Sequence, residues 1–379
     1  MPDLVLRTET EAEDLIRGLT LLGTGGGGRP ELGRLYLQDA LKRAGEIRIR
    51  DVSAIPDEAW FCSTFGMGST APRPAVAELP EYGPKIVEWP MVEALRELER
   101  YTGLTISGVV AFEIGAANTA GPLHTATVLG LLFPDGDCAG RAVPESAQST
   151  PALHGKQYCP SVMCDPWGNV IIMKKTANLD VAERFGKALS IVTKLPDQYT
   201  PCNYAGFLLT GAELRQWIVP GTVSKSLRVG QAIRQAREAG KDPVLAATDA
   251  MNGWLLFRGT VASKEWESRE GYMYGSATME GSGEFAGHTL KIWYKNETHI
   301  SWLDAKPFVT SPDLICIVRA EDGEPITNTV LEPGTAVAVL GAPAPWYRTD
   351  EGLEALGPKH FGFDIDYVPI EQLVGQRSL

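Results

Sequence analysis

The residues in this sequence best placed to do chemistry are carboxylates at the ends of apolar runs. Glu113 closes TISGVVAFEIG, and Asn118 follows in the next loop. A carboxylate at the carboxyl end of a strand in an α/β domain stands where such domains bind ligands. The same residue can equally cap the next helix, so two readings of Glu113 stand. Further on, FPDGDCAGRAVPE gathers Asp135, Asp137, Arg141 and Glu145 within eleven residues. Acids around a fixed cation supply a general base and an anion clamp, or ligands for a divalent metal. A polar loop with a surface ion pair is the plainer alternative. Near the C-terminal end of the apolar run LKIWY comes Asn296-Glu297, a polar pair that core packing does not explain.

LLGTGGGGRP places Gly25, Gly26, Gly27 and Gly28 in a row ahead of Arg29-Pro30. Gly23, Gly25 and Gly28 satisfy G-x-G-x-x-G in form, and Asp51 follows at a suggestive interval. The dinucleotide fingerprint needs a strand leading into the loop, whereas residues 9–22 are helical in pattern, so no nucleotide cofactor is expected. Arg29-Pro30 also stands where a phosphate loop requires Lys-Ser/Thr. What remains is a glycine-rich loop opening a helix, whose amides suit a carboxylate or a developing oxyanion.

The histidines give weaker signals. His124, His154 and His288 are candidate ligands for zinc or another divalent ion, but none shows diagnostic ligand spacing. Cys159 and Cys164 lack the close pairing of structural zinc sites and read as core cysteines. Ser69 and Thr70 follow a strand without a G-x-S-x-G elbow, which argues against a serine-hydrolase triad.

These residues need a scaffold. Leu15, Ile16, Leu19 and Leu22 define one helix before the glycines, and Pro30 suits the first turn of another. Strands EIRIRDV, AWFCSTFGMGST and TISGVVAFEIG alternate with helices PMVEALRELERYTG and GPLHTATVLGLLF, which predicts an α/β domain. Helices follow at AERFGKALSIVTKL and around 223–239. From about residue 252 the runs are short, glycine-punctuated and β-rich, as in an antiparallel sheet or sandwich. The expected division is an α/β domain over 1–165 and a β-rich domain with some helices over 166–379.

Composition narrows the partners. A net charge of −12 over 379 residues disfavours nucleic acid and anionic membranes. No apolar run reaches membrane-spanning length, and the acidic N-terminus is unlike a signal peptide. Six scattered cysteines fit a reducing cytoplasm. A homo-oligomer is expected on general grounds.

Several segments together resemble the S-methyl thiohydantoin desulfurase family, long grouped with hydantoinase/oxoprolinase proteins. They are GTGGGGRP, GMGSTAPRP, EIGAANTAGPL, DGDCAGRAVPE, WGNVIIM, YKNETHI, SPDLICIV and GPKHFGFDIDYVPI, in that order and over nearly the whole chain. Ala116, Thr119, Cys138, Ala139 and His299 depart from the usual pattern beside the motifs. The resemblance implies two domains and hydrolysis of an S-methyl thiohydantoin to a hydantoin and methanethiol. On the residues themselves, the expected base is Asp135 or Asp137, with Glu113 as alternative. Arg141 and the Gly25–Gly28 amides are expected to hold the anionic end of a small cyclic substrate, with Asn118 beside them. Asn296 and Glu297 are expected to close the pocket. An accessory subunit of a hydantoinase/oxoprolinase-type enzyme and a dinucleotide-dependent oxidoreductase are the rival readings.

Overall fold

The computed structural model describes residues 3–68, 83–192 and 202–375. The first part of the chain runs β1 (Leu4–Leu6), α1 (Glu9–Leu22), α2 (Pro30–Ala44), β2 (Ile47–Ile49), β3 (Trp60–Met67), α3 (Pro90–Thr102), β4 (Ile106–Ala111) and α4 (Ala116–Leu129). It continues through β5 (Gly136–Asp137), α5 (Thr150–Leu153), β6 (Ser161–Cys164), β7 (Val170–Met173), α6 (Leu179–Val192), β8 (Cys202–Thr210), α7 (Gly211–Trp217), β9 (Val219–Pro220), α8 (Thr222–Glu238) and α9 (Pro243–Ala250). A mixed seven-stranded sheet of order β7-β6-β8-β3-β4-β5-β9 forms the centre of this region. Its β3, β4 and β5 run parallel, as expected of an α/β unit.

This sheet reaches past the division expected at 165/166. β8 inserts antiparallel between β6 and β3, so strands up to Pro220 belong to the first sheet. The predicted change of texture lies where the second sheet begins. It comprises β10 (Trp254–Arg269), β11 (Tyr272–Gly281), β12 (Thr289–Lys295), β13 (Glu297–Leu303), β14 (Lys306–Thr310), β15 (Leu314–Arg319) and β16 (Ala336–Ala342), all antiparallel. The fold is thus an N-terminal α/β region followed by a C-terminal antiparallel β region. No described helix is long and apolar enough to cross a membrane.

Two local features set up the site. α1 has a capping box at Thr8 and Glu11, and α2 begins at Pro30, so the glycines form the link between two helices, as their flanks predict. α4 starts at Ala116, earlier than GPLH suggests, and carries Pro122 inside it. The alanines after Gly115 favour helix, and the Thr119 hydroxyl links the Glu113 carbonyl and the Gly115 amide across the first turn. Asn118 and Thr119 therefore lie on a helix rather than in a loop.

Candidate active site

The glycine loop is where the two regions meet. Thr24, Gly25, Gly27 and Gly28 all have positive φ, at 51°, 95°, 75° and 87°. The Thr298 amide donates to the Thr24 carbonyl at 2.8 Å, and the Asn328 amide to the Gly25 carbonyl at 2.9 Å. The Gly27 carbonyl accepts from the Ala117 and Asn118 amides, tying the loop to the start of α4. Part of the loop thus faces the helix through a carbonyl, not through amides. On the other side, no described acceptor meets the Gly27 or Gly28 amide, and both residues line a narrow cavity of about 50 Å³.

Glu113 and Glu297 enter that cavity from opposite regions of the chain. Glu113, just beyond β4, accepts from Asn118 Nδ2 at 2.7 Å and from the Val143 amide at 2.8 Å. Asn118 is held in turn, because its Oδ1 accepts from the Gly66 amide. Glu297 starts β13, and one of its oxygens, Oε2, is buried without a hydrogen-bond partner among the described residues. Asn296 sets the tight turn ahead of it with φ 58°, a conformation that asparagine tolerates. The Asn296 Oδ1 accepts from the Met273 amide, and its carbonyl accepts from Asn328 Nδ2.

Burial dominates the electrostatics. It raises the Glu113 carboxyl to about 7, against the two donors that favour its charged form. Burial and the neighbouring Glu113 charge raise Glu297 to about 8. Arg141 and Lys187 pull Glu297 the other way, and Lys187 does the same to Glu113. Two buried acids displaced into the neutral range, with unequal hydrogen bonding, form a proton-holding pair.

Other expected residues have different places. Asp135 is the clamp at the start of α8: its Oδ1 accepts from the Ser224 amide and its carbonyl from the Gly221 amide. Asp137 accepts from the Ala139 and Gly140 amides and the Thr222 hydroxyl, bracing β5 against the same helix. Neither lines the cavity, although burial also raises the Asp137 carboxyl to about 7, against the donors that favour its charged form. Arg141 is fully buried, and its five N–H donors go to the Ala142, Pro312, Asp313 and Thr298 carbonyls and the Thr24 hydroxyl. With no donor left, it cannot clamp a substrate anion. It ties the two regions together instead.

The three histidines are scattered. His124 bonds Asp39, His154 stacks on Trp217, and His288 pairs with Asp304 on an exposed hairpin. No group of three His, Cys, Asp or Glu among the described residues is arranged to hold a metal ion. Ser69 and Thr70 lie outside the described residues. The glycine loop follows a helix, and Asp51 accepts from Ser53 in a short 3-10 turn away from the cavity, which removes the dinucleotide reading.

Sequence reasoning missed Glu183, Lys187, Ser146 and Asn328. The first two sit one turn apart on α6, where an i,i+4 acid–base pair resembles an ordinary solvated helix face. Here both are buried and line the cavity. Glu183 accepts from the Ser146 amide and the Tyr272 hydroxyl, and Lys187 Nζ lies 4.2 Å above the Tyr272 ring.

Residues 10–175 match the S-Me-THD-like, N-terminal domain, and residues 182–370 match the S-Me-THD-like, C-terminal domain. The chain belongs to the S-Me-THD-like family. A crystal structure of a protein from Chromobacterium violaceum is similar in fold, with TM-score 0.75 and 23% identity. That likeness covers 98% of this chain and 100% of the other. No protein of curated function matches the sequence significantly. As an S-Me-THD-like protein, the chain places a buried acid pair where the N- and C-terminal family domains meet.

Proposed function

We propose that this protein is a hydrolase of small five-membered cyclic thioimidates, with an S-methyl thiohydantoin as substrate and a hydantoin and methanethiol as products. Family membership supports the thiohydantoin class. The single observation that carries the chemistry is the buried Glu113–Glu297 pair beside the Gly27 and Gly28 amides.

In this reading the pair holds one proton near neutral pH. Glu113, with donors on both oxygens, is the ionised base, and Glu297 is the acid. Water gives its proton to Glu113 while its oxygen attacks the ring carbon bearing sulfur. The electron pair of the C=N bond moves to the ring nitrogen, with the Gly27 and Gly28 amides facing the nearby developing negative charge. Collapse of the adduct breaks the C–S bond, and Glu297 protonates the departing sulfur. Glu113 hands the proton taken from water to the ring nitrogen and takes the hydroxyl proton in exchange, which leaves the neutral hydantoin, and passage of that proton to Glu297 restores the pair. A thiol is a good leaving group, so no strong acid is needed.

The direct test supplies S-methyl thiohydantoin to the purified protein in ¹⁸O-water. Enzyme-dependent methanethiol release with one ¹⁸O in the hydantoin supports the reading. Methanethiol release no faster than the uncatalysed rate eliminates it.

A further inference from the structure

Lys187 is the one cation among the described residues that line the acid-pair cavity. Arg141, expected to hold an anion, has every donor engaged elsewhere, so this ammonium is what the cavity offers in its place. Only 7% of Lys187 is exposed, yet no described residue accepts a hydrogen bond from its Nζ. The acid within ion-pair distance, Glu183, stands 3.6 Å away, too far for a hydrogen bond. Glu183 already accepts from the Ser146 amide and the Tyr272 hydroxyl. The Tyr272 ring, 4.2 Å from Nζ, balances part of the charge but leaves three N–H donors without an oxygen. Unmet donors on a buried charge are costly, and a ligand oxygen in the cavity would meet them.

The side chain is also held in place. Its stem lies against Gly271 in the β10–β11 turn, where an added methyl group would come within 3.0 Å of Lys187 Cδ. Gly271 and Tyr272, from the C-terminal region, thus fix a lysine carried by α6 of the first region. A donor fixed beforehand needs no reorganisation when charge develops in front of it.

The chemistry proposed above has an oxygen to put there. Attack at the carbon bearing sulfur sends the C=N electron pair onto a ring nitrogen. Where that nitrogen adjoins the ring carbonyl, the charge spreads across N–C–O onto the carbonyl oxygen. The Gly27 and Gly28 amides face charge at the nitrogen, and the oxygen needs a donor of its own.

We propose that Lys187 is the anchor for the substrate's ring carbonyl, its ammonium donating to that oxygen in the bound substrate and more strongly as the oxygen becomes negative. This rests on the cyclic-thioimidate reading and names a residue that selects rings bearing a carbonyl.

Calorimetric titration of the full chain with hydantoin and with 2-imidazolidinone, the same ring without the second carbonyl oxygen, tests this. Wild type is expected to bind hydantoin more tightly, and Lys187→Met to lose about 10- to 100-fold of that preference, the scale of a charge-assisted hydrogen bond. Comparing two ligands within one protein cancels the effect of the Lys187 charge on the acid pair, which both rings meet. Lys187→Gln supplies the same comparison should Lys187→Met fail to fold. No preference in wild type, or a preference that survives unchanged in the variant, overturns the inference. Methanethiol release from S-methyl thiohydantoin is followed alongside. Wild-type release with an unchanged preference sinks the anchor alone, whereas a Lys187-dependent preference without release supports the anchor and sinks only the hydrolase reading.

Discussion

The Glu297 carboxylate lies directly against Gly26: a methyl group built on the Gly26 Cα would come within 1.8 Å of Glu297 Oε1. The glycine loop and the C-terminal acid therefore fit only as a pair. Gly26 is required for close approach, while Gly25, Gly27 and Gly28 also need positive φ.

Gly26→Ala is expected to push the Glu297 side chain off its position without unfolding the protein, since the clash is with a side-chain end. We expect kcat to fall about 10²-fold, the scale of a misplaced general acid. Steady-state kinetics on the folded variant check this, and an unchanged kcat contradicts it.

Glu113 must be ionised and Glu297 protonated for the proposed step. Activity should thus rise as pH climbs through about 7 and fall as it passes about 8, giving a narrow bell. The Lys187 charge lowers both acids, so Lys187→Met should move both limbs to higher pH. A pH–rate profile of the two proteins reads the shift directly, and limbs that stay in place refute the role given to Lys187.

Stability carries the same signature with a definite sign. A carboxyl whose folded pKa is raised stabilises the fold below its unfolded value and loses that contribution as pH rises through the folded value. Glu297→Gln, which never charges, should therefore be more stable than wild type above pH 8, by roughly 1–3 kcal/mol, the usual cost of a poorly satisfied buried polar group. The difference should shrink toward pH 5. Denaturant unfolding at several pH values checks it.

Arg141→Met removes the central tie between the two regions and strands several buried carbonyls. A loss of about 3–5 kcal/mol is expected, as when one side of a buried charged network is removed. Chemical denaturation measures this; a variant as stable as wild type would mean that the tie is dispensable.

Much of the site was legible because its signals are local. Proline at the start of α2 and a helical period before the glycines located the loop, and Glu113 and Glu297 stood out as acids at the ends of apolar runs. The surroundings of Asp137 and Arg141 were illegible for the opposite reason. A turn rich in Gly, Asp and Arg looks exposed, and nothing in its composition reveals that long-range partners absorb every donor of Arg141. Lys187 and Asn328 were invisible because their meaning comes from β11, the glycine loop and the Asn296 turn, all remote in sequence. The reach of the first sheet to Pro220 was hidden likewise, since β8 joins it by non-local pairing.

The most direct test of the acid-pair account is the rate of methanethiol release from S-methyl thiohydantoin by Glu113→Gln, measured beside wild type on protein of equal circular dichroism. The account predicts a loss of about 10²–10⁴-fold, the range for removing a general base. A folded Glu113→Gln protein that releases methanethiol at the wild-type rate would contradict it.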